Sequence, residues 1–503
     1  MQQSQPLLTG EDGRDVEDST VNTGIDYDLW QKDMGTPLRG SRIHGLQILA
    51  LQCYQITKHY IQDSILTRRF LISILPQYLQ PGGLKAPPDL RSTAYLDALR
   101  GYAAWVVVNH HFYWTNHYLK LPFIDFFHSG RAMVDIFFII SGYVLSHNLL
   151  QKTREKREQN LLKSLASSTF RRYIRLYFSA GFAALVSMLL TCVGALKYDL
   201  VAWQGSFFVQ LADWLKDMLR FSNPFADVKG YYYGQQTLNS RYHPYLWTIP
   251  AEFRGSMVVF VFCLACCKLS TTHRTIACWL LIALCYLWDA AYVALFMFGV
   301  HLAERSLNKP APETSSPSPE IEQLQLEVGA HAEKVRWRRS RLGTGGRYLV
   351  AIIALVVGVF LCSQPHNLGK KGPNPWPVLS KAVPSWWHGG DQGREHFWLS
   401  IAAALIVWAL ETCPPLQRPF NWGFSQYVGK LSFGLYVMHL LVVRSFWDGP
   451  LNQLRSWLGN GQKSYCFTYV IFMLLVFWAA DYFTRVDRHI IAFGRWLERK
   501  TFT

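Results

Sequence analysis

The sequence predicts an all-α fold, a polytopic membrane bundle of about ten transmembrane helices. Three observations carry that expectation. Half of the 503 residues are hydrophobic, with 19 Trp, 25 Tyr and 31 Phe, and they gather in blocks of roughly bilayer length. Basic residues concentrate in alternate loops between those blocks, as the positive-inside rule requires. Ionisable residues also stand well inside several blocks, where a merely structural helix would carry none.

The chain divides by composition into four parts. Residues 1–44 are polar and acidic (Glu11, Asp12, Asp15, Glu17, Asp18) and read as a disordered cytoplasmic tail, with no basic and apolar leader of a cleaved signal peptide. Residues 45–92 repeat apolar positions at helical spacing (Leu46, Leu49, Tyr54, Ile61, Ile65). Lys58, His59, Asp63, Arg68 and Arg69 interrupt them, so an interfacial amphipathic segment fits better than a span. Residues 93–490 form the membrane domain, with a Pro- and Ser-rich cytoplasmic linker at 304–346, and 491–503 are a basic cytoplasmic tail. The expected spans are 95–117, 131–150, 173–195, 246–266, 275–288, 290–303, 347–363, 396–411, 431–447 and 465–484.

Loop charge orients them. The loop after the second span (Lys152, Arg154, Lys156, Arg157, Lys163, Arg171, Arg172), the one after the sixth and the C-terminal tail are densely basic. With ten spans, both termini are then cytoplasmic. Residues 196–245, 364–395 and 448–464 face the other side. Phe207, Phe208, Leu211, Trp214, Leu215, Met218 and Leu219 form an apolar stripe there, which predicts an interfacial lid helix before Tyr231-Tyr232-Tyr233.

The net charge of +16 does not indicate nucleic acid, because the basic residues are spread between apolar blocks rather than gathered in one patch. Ten cysteines lie mostly inside spans, and the Cys263/Cys266 spacing lacks further soft ligands, so no metal site is expected. Neither a phosphate-binding Gly-rich loop nor a G-x-S-x-G elbow is present.

Tyr95–Trp114 organises the rest. On a helix, the eleven steps from Arg100 to His111 return to within about 20° of the starting direction, whereas His110 points about 80° away. Arg100 and His111 therefore share a face, about 16 Å apart along the axis. Ranked by distance from the outer surface, His111, Asp135 and Glu252 fall at one level and could form a single polar site. Arg100, Arg172 and Arg175 fall at the cytoplasmic mouth. Guanidinium groups there suit an anionic, phosphate-bearing donor, and a histidine with a carboxylate deeper in suits general-base activation of a hydroxyl. The same groups equally describe a transporter with a substrate or proton path, although no inverted repeat is evident.

Tyr95-Leu-Asp-Ala-Leu-Arg-Gly101 with His111, Val134-Asp-Ile-Phe-Phe-Ile-Ile-Ser-Gly142, Arg172-x-x-Arg175, Leu246-Trp-Thr-Ile-Pro-Ala-Glu252 and Val428-Gly-Lys-Leu-Ser-Phe-Gly-Leu-Tyr-Val-Met-His439 occur in one order. Together they resemble the acyltransferase 3 family of integral-membrane acyltransferases over roughly 93–490. The resemblance implies acyl transfer, often of acetyl, from acyl-CoA as co-substrate to a hydroxyl on a small metabolite or glycan. It matches the family's arginine–histidine signature to Arg100 and His111, and its Arg-x-x-Arg pair to Arg172 and Arg175. Its Trp-Ser-Leu-x-x-Glu pattern keeps Trp247 and Glu252 but places Pro250 between them. The expected roles are His111 as general base, Arg100 as charge stabiliser and Arg172 and Arg175 as CoA phosphate contacts. Asp135 is a candidate to orient His111, and Glu252 is the further acidic candidate. His439 is read as a core histidine under Tyr436, and Asp487, a candidate for the family's acidic residue after the last span, is left out of the site.

Overall fold

The computed structural model describes Ile72 and residues 74–85, 90–112, 123–196, 201–224, 239–308, 343, 345–365, 374–387 and 390–502. The chain forms two compact units, Met1–Leu75 and Pro76–Thr503. The expected tail at 1–44, most of the interfacial segment, the Tyr231–Tyr233 stretch and most of the linker lie outside the described residues.

The second unit is helical, with no strand among its described residues. Its main helices are α1 (Ala94–Phe112), α2 (Gly130–Arg154), α3 (Glu158–Cys192), α4 (Phe207–Phe221), α5 (Thr248–Ala265), α6 (Thr271–Leu287) and α7 (Ala291–Leu307). They continue with α8 (Gly345–Cys362), α9 (Gly390–Thr412), α10 (Gly423–Lys430), α11 (Ser432–Val442) and α12 (Gln462–Thr501). Each expected span falls on one or more of these helices, but among the described residues five stretches are long and apolar enough to cross a bilayer unaided. The number rises to seven if each of two bent pairs is a single span. Two boundaries also move. α3 starts well before the apolar block that marked its span, and α12 runs on through the stretch taken as a basic tail.

The surface explains why this chain needs lipid. α8 exposes Leu349, Val350, Ile353 and Val356, α6 exposes Leu280, Leu284 and Leu287, and α12 exposes Phe467, Val470 and Leu474. A water-soluble bundle does not present apolar helix faces in this number, whereas a multi-pass membrane protein must. With apolar surface on both sides of each helix, close packing rather than hydrophobicity holds the interior together.

Two glycine pairs supply that packing. A Cβ on Gly101 of α1 would stand 2.4 Å from the Val428 carbonyl carbon, and one on Gly429 of α10 would stand 2.7 Å from the Asp97 carbonyl. Across α2 and α7, a Cβ on Gly142 would meet Phe296 O at 2.0 Å, and one on Gly299 would meet Ile139 O at 2.1 Å. α2 lies centrally, against α1, α3, α5, α7 and α9. α1 lies between α2, α10 and α11, so the face that carries Arg100 looks inward.

Gly142→Ala has backbone rather than a flexible side chain in its way and should cost about 1–3 kcal/mol through forced separation of α2 and α7. Thermal unfolding in detergent should show a lowered midpoint, and an unchanged midpoint would show that this contact is not tight.

Candidate functional site

The site is built from two levels along α1. At the first, Arg100 donates from Nε to Ser432 Oγ (3.0 Å) and reaches Asp97 Oδ1 at 3.5 Å, while Arg91 approaches the other Asp97 oxygen at 3.2 Å. Ser432 is available because α10 and α11 meet at a 66° bend, which places it at the start of α11. Arg172 of α3 donates to Ser256 Oγ (2.8 Å) and pairs with Glu252 of α5. Two turns along α3 from Arg172, Ser179 donates to Asp487 of α12 at 2.5 Å.

Arg175 stands between these pairs, within electrostatic reach of Arg172, Arg100, Asp487 and Glu252. It makes no hydrogen bond or ion pair with any described residue. Its side chain keeps accessible surface, so an anion can reach it, and a guanidinium standing among other guanidinium groups suits one.

At the second level, His111 near the end of α1 stacks on Tyr245, with ring centroids 3.9 Å apart and planes 18° from parallel. His439 of α11 lies 5.2 Å from His111 at 16°, and 5.5 Å from Tyr245 at 2°. Tyr245 sits in a 3-10 turn, Pro244–Trp247, that α11 holds at two points. His243 donates from Nε2 to Val437 O (2.7 Å). The Tyr436 hydroxyl donates to Tyr245 O and lies 2.7 Å from Thr248 Oγ1. His111 itself makes no hydrogen bond to a described residue and is only partly buried, so its ring can be approached.

α11 touches both levels, with Ser432 at Arg100 and His439 at His111. Arg100 and His111 thus both meet α11, at its two ends.

Two candidates lie elsewhere than expected. Asp135 does not reach His111; its carboxylate is fully buried against His396 of α9, with Oδ2 3.5 Å from Nδ1. The reason is helical phase. Phe137 of α2 faces Tyr436 of the site at 6.0 Å, and a residue two positions away points about 200° around the helix. Glu252 belongs with the arginines, not with His111, because it is the carboxylate that answers Arg172. The single level of His111, Asp135 and Glu252 is thus not formed. α3 begins at Glu158, so Arg172 lies about 21 Å along the helix and not at its start.

Sequence reasoning left out Tyr245 and set aside His439 and Asp487. His243-Pro-Tyr245 directly precedes a matched motif and His439 ends another, so their order in the chain was the available signal. Among the described residues, no three side chains are grouped as metal ligands would be.

On the outer side, the expected lid helix is present as α4, with Phe208, Leu215 and Leu219 exposed. Its polar face is clamped to 239–243. Asp217 accepts from Ser240 Oγ (2.6 Å) and Arg241 N (3.0 Å), and Asp213 accepts from Arg241 Nη2 and the Tyr242 hydroxyl, both at 2.9 Å. Burial would raise Asp213, but the bonds from Arg241 and Tyr242 outweigh it and hold the carboxyl below its ordinary value. Burial, with Asp213 beside it, pushes the Tyr242 hydroxyl up to about 12.

The sequence model of the acyltransferase 3 family, described as an acyltransferase domain, matches residues 93–485. The O-acetyltransferase PaAT-1 of Phomopsis amygdali is 27% identical over 445 residues, covering 81% of this chain and 84% of that protein. Acyltransferase R4 of a Phoma species is 26% identical, covering 74% and 86%, and acyltransferase clz18 of Cochliobolus lunatus is 25% identical, covering 67% and 72%. No solved structure matches the chain.

The clamp on α4 has a defined pH window. Asp213 is depressed, so its contribution is complete above its unfolded value of about 3.9 and is lost as pH falls below that. Tyr242 is raised, so its contribution is complete below about 10 and is lost as pH rises through about 12. Hydrogen exchange at 207–221, corrected for intrinsic rates, should be flat between about pH 5 and 9 and should speed up below about pH 4. Uniform protection down to pH 3 would show that the Asp213 bonds do not hold the helix.

Proposed function

The chain belongs to the acyltransferase 3 family, and from that premise we propose that it is a membrane O-acyltransferase using acyl-CoA. The group moved is acetyl, and the acceptor is a hydroxyl of a small metabolite or glycan. Family membership already makes it an enzyme that transfers acyl groups other than aminoacyl, which sets aside the transporter reading of the same buried residues. Acetyl is favoured because one relative is named an O-acetyltransferase.

The observation that carries the proposal is Arg175, accessible and without a partner among the described residues, next to Arg172 and Arg100, with an approachable His111 further along the helix that carries Arg100. Acyl-CoA has that layout, with phosphates at one end and a thioester at the end of a long flexible arm. Arg175 takes phosphate directly. Arg172, fixed by Glu252 and Ser256, presents its remaining donors beside it. Arg100 stabilises charge on the donor, since about 16 Å of helix separates it from His111 and from any oxyanion formed there.

At the second level, His111 takes the hydroxyl proton as the acceptor oxygen bonds to the thioester carbonyl carbon. The carbon–sulfur bond then breaks, and the departing thiolate takes that proton from His111. The products are an ester and free CoA, with no net proton change.

A cytoplasmic donor side is supported by charge. The basic stretch of α3 at Arg171 and Arg172 meets the basic end of α12 through an Arg171–Glu498 pair at 2.9 Å, beside the arginine level. The termini are then cytoplasmic, and the lid helix and His111 level lie toward the opposite face.

Purified enzyme, acetyl-CoA and a metabolite extract from a deletion strain, which contains the unacylated acceptor, provide the test. His111→Ala should lower kcat by about 10²- to 10⁴-fold with acetyl-CoA affinity kept. Arg175→Ala should weaken acetyl-CoA binding by about 10- to 100-fold. Undiminished transfer by His111→Ala would remove the base assignment, and unchanged affinity in Arg175→Ala would remove the phosphate site.

A further inference from the structure

A histidine that works as a base needs a group to hold its other nitrogen, and Asp135 is not that group, because it faces His396 on another side of α2. The side chain against His111 is His439. Its Nδ1 lies 2.7 Å from Tyr436 O and 3.2 Å from Leu435 O. Carbonyl oxygens only accept, so in the neutral ring Nδ1 carries the proton and Nε2 is left as a lone pair. That lone pair is buried and meets no hydrogen-bond donor among the described residues. An unsatisfied buried acceptor is costly, and native structures seldom keep one without a use.

We propose that His439 is the positioning partner of His111, with its Nε2 accepting the second N–H of His111 while His111 holds the acceptor's proton. The spacing is suitable. Two imidazoles joined by an N–H···N bond of about 2.9 Å have ring centres about 5 Å apart, and the observed separation is 5.2 Å. Rotation of the His111 ring therefore makes the bond, with no approach of α1 to α11. Tyr245, held through its carbonyl by Tyr436, lies over His111 and restricts how far that ring can turn.

The inference rests on reading His111 as the base. The hydroxyl O–H bond breaks and the proton goes to one nitrogen of His111, while the N–H on the other nitrogen is held by His439. When the carbon–sulfur bond breaks, the thiolate takes the proton from His111. His439 keeps its own proton on Nδ1 throughout, so it donates and removes nothing. A neutral partner of this kind orients the base without placing a carboxylate beside it, which in an apolar interior would need a counter-charge of its own.

Two substitutions separate this role from simple packing. His439→Phe keeps a ring of similar size but has no lone pair, and His439→Gln gives up the ring but returns an acceptor oxygen. With acetyl-CoA and deletion-strain extract, His439→Phe should lose about 10- to 100-fold in kcat at unchanged acetyl-CoA affinity, and His439→Gln should recover at least part of that loss. Affinity at the arginine level reports that a variant is folded, and His439→Leu replaces His439→Phe if the latter no longer binds. Wild-type kcat in His439→Phe, or equal losses in the Gln and Phe variants, would overturn the proposal. If His111→Ala is inactive while His439→Phe is fully active, only the partner role fails. An active His111→Ala, or a wild type that releases no CoA, takes the underlying reading with it.

Discussion

Every charge inside an apolar bundle has to be answered, and the way each is answered separates scaffold from site. Arg274 brings Nε and Nη2 to within 2.9 and 2.7 Å of the two Glu304 oxygens, and Arg154 donates to the Glu304 backbone carbonyl at 2.8 Å. That cluster ties α2, α6 and α7 together. Arg131 answers Glu395 between α2 and α9, and Arg485 answers Asp481 one turn back on α12. Breaking such a buried pair from one side costs about 3–5 kcal/mol, so these groups hold the bundle in register. Arg175 has no such partner among the described residues, and its position among other guanidinium groups makes the vacancy more costly.

The distance between the two levels follows from the packing. α1 is held to α10 through Gly101 and Gly429, so the helix that carries Arg100 and His111 cannot drift from the helices that contact them. α11 then fixes both ends, with Ser432 at one and His439 at the other. A substrate that must span charge recognition and chemistry meets a rigid ruler. This makes the order of levels along α1 a consequence of the glycine contacts as much as of Arg100 and His111.

Much of this could be read from the chain. Block length and loop charge located the helices, and the eleven-residue interval placed Arg100 and His111 on one face, because a regular helix converts sequence spacing directly into direction. Depth could not be read in the same way. The ends of apolar blocks do not mark the ends of helices: α3 extends fifteen residues before the expected start at 173, so Arg172 and Arg175 stand in mid-helix. Glu252 pairs with Arg172 there. Asp135 was misdirected by helical phase, since adjacency in a motif does not reveal which neighbour a side chain faces, and Phe137 took the face toward the site. Tyr245 belongs to a 3-10 turn with no periodic pattern, so only its place before Trp247 hinted at its role.

That turn also joins the outer helix to the chemistry. Asp217 and Asp213 of α4 hold Ser240, Arg241 and Tyr242, and the next residues are His243, bonded to α11, and Tyr245, stacked on His111. Nothing in that path is longer than a few residues. α4 carries its exposed apolar residues on one face and these carboxylates on the other, as expected of a helix lying along a bilayer surface. A displacement of α4 at the surface would therefore pull on the ring that covers His111. The arginine level is tied to α4 as well: Tyr173, next to Arg172, donates to Ser222 O at the end of α4 (3.0 Å), and Tyr177 packs edge-on against Phe221. Both levels are thus connected to α4, the arginine level through α3 and the histidine level through the Pro244–Trp247 turn.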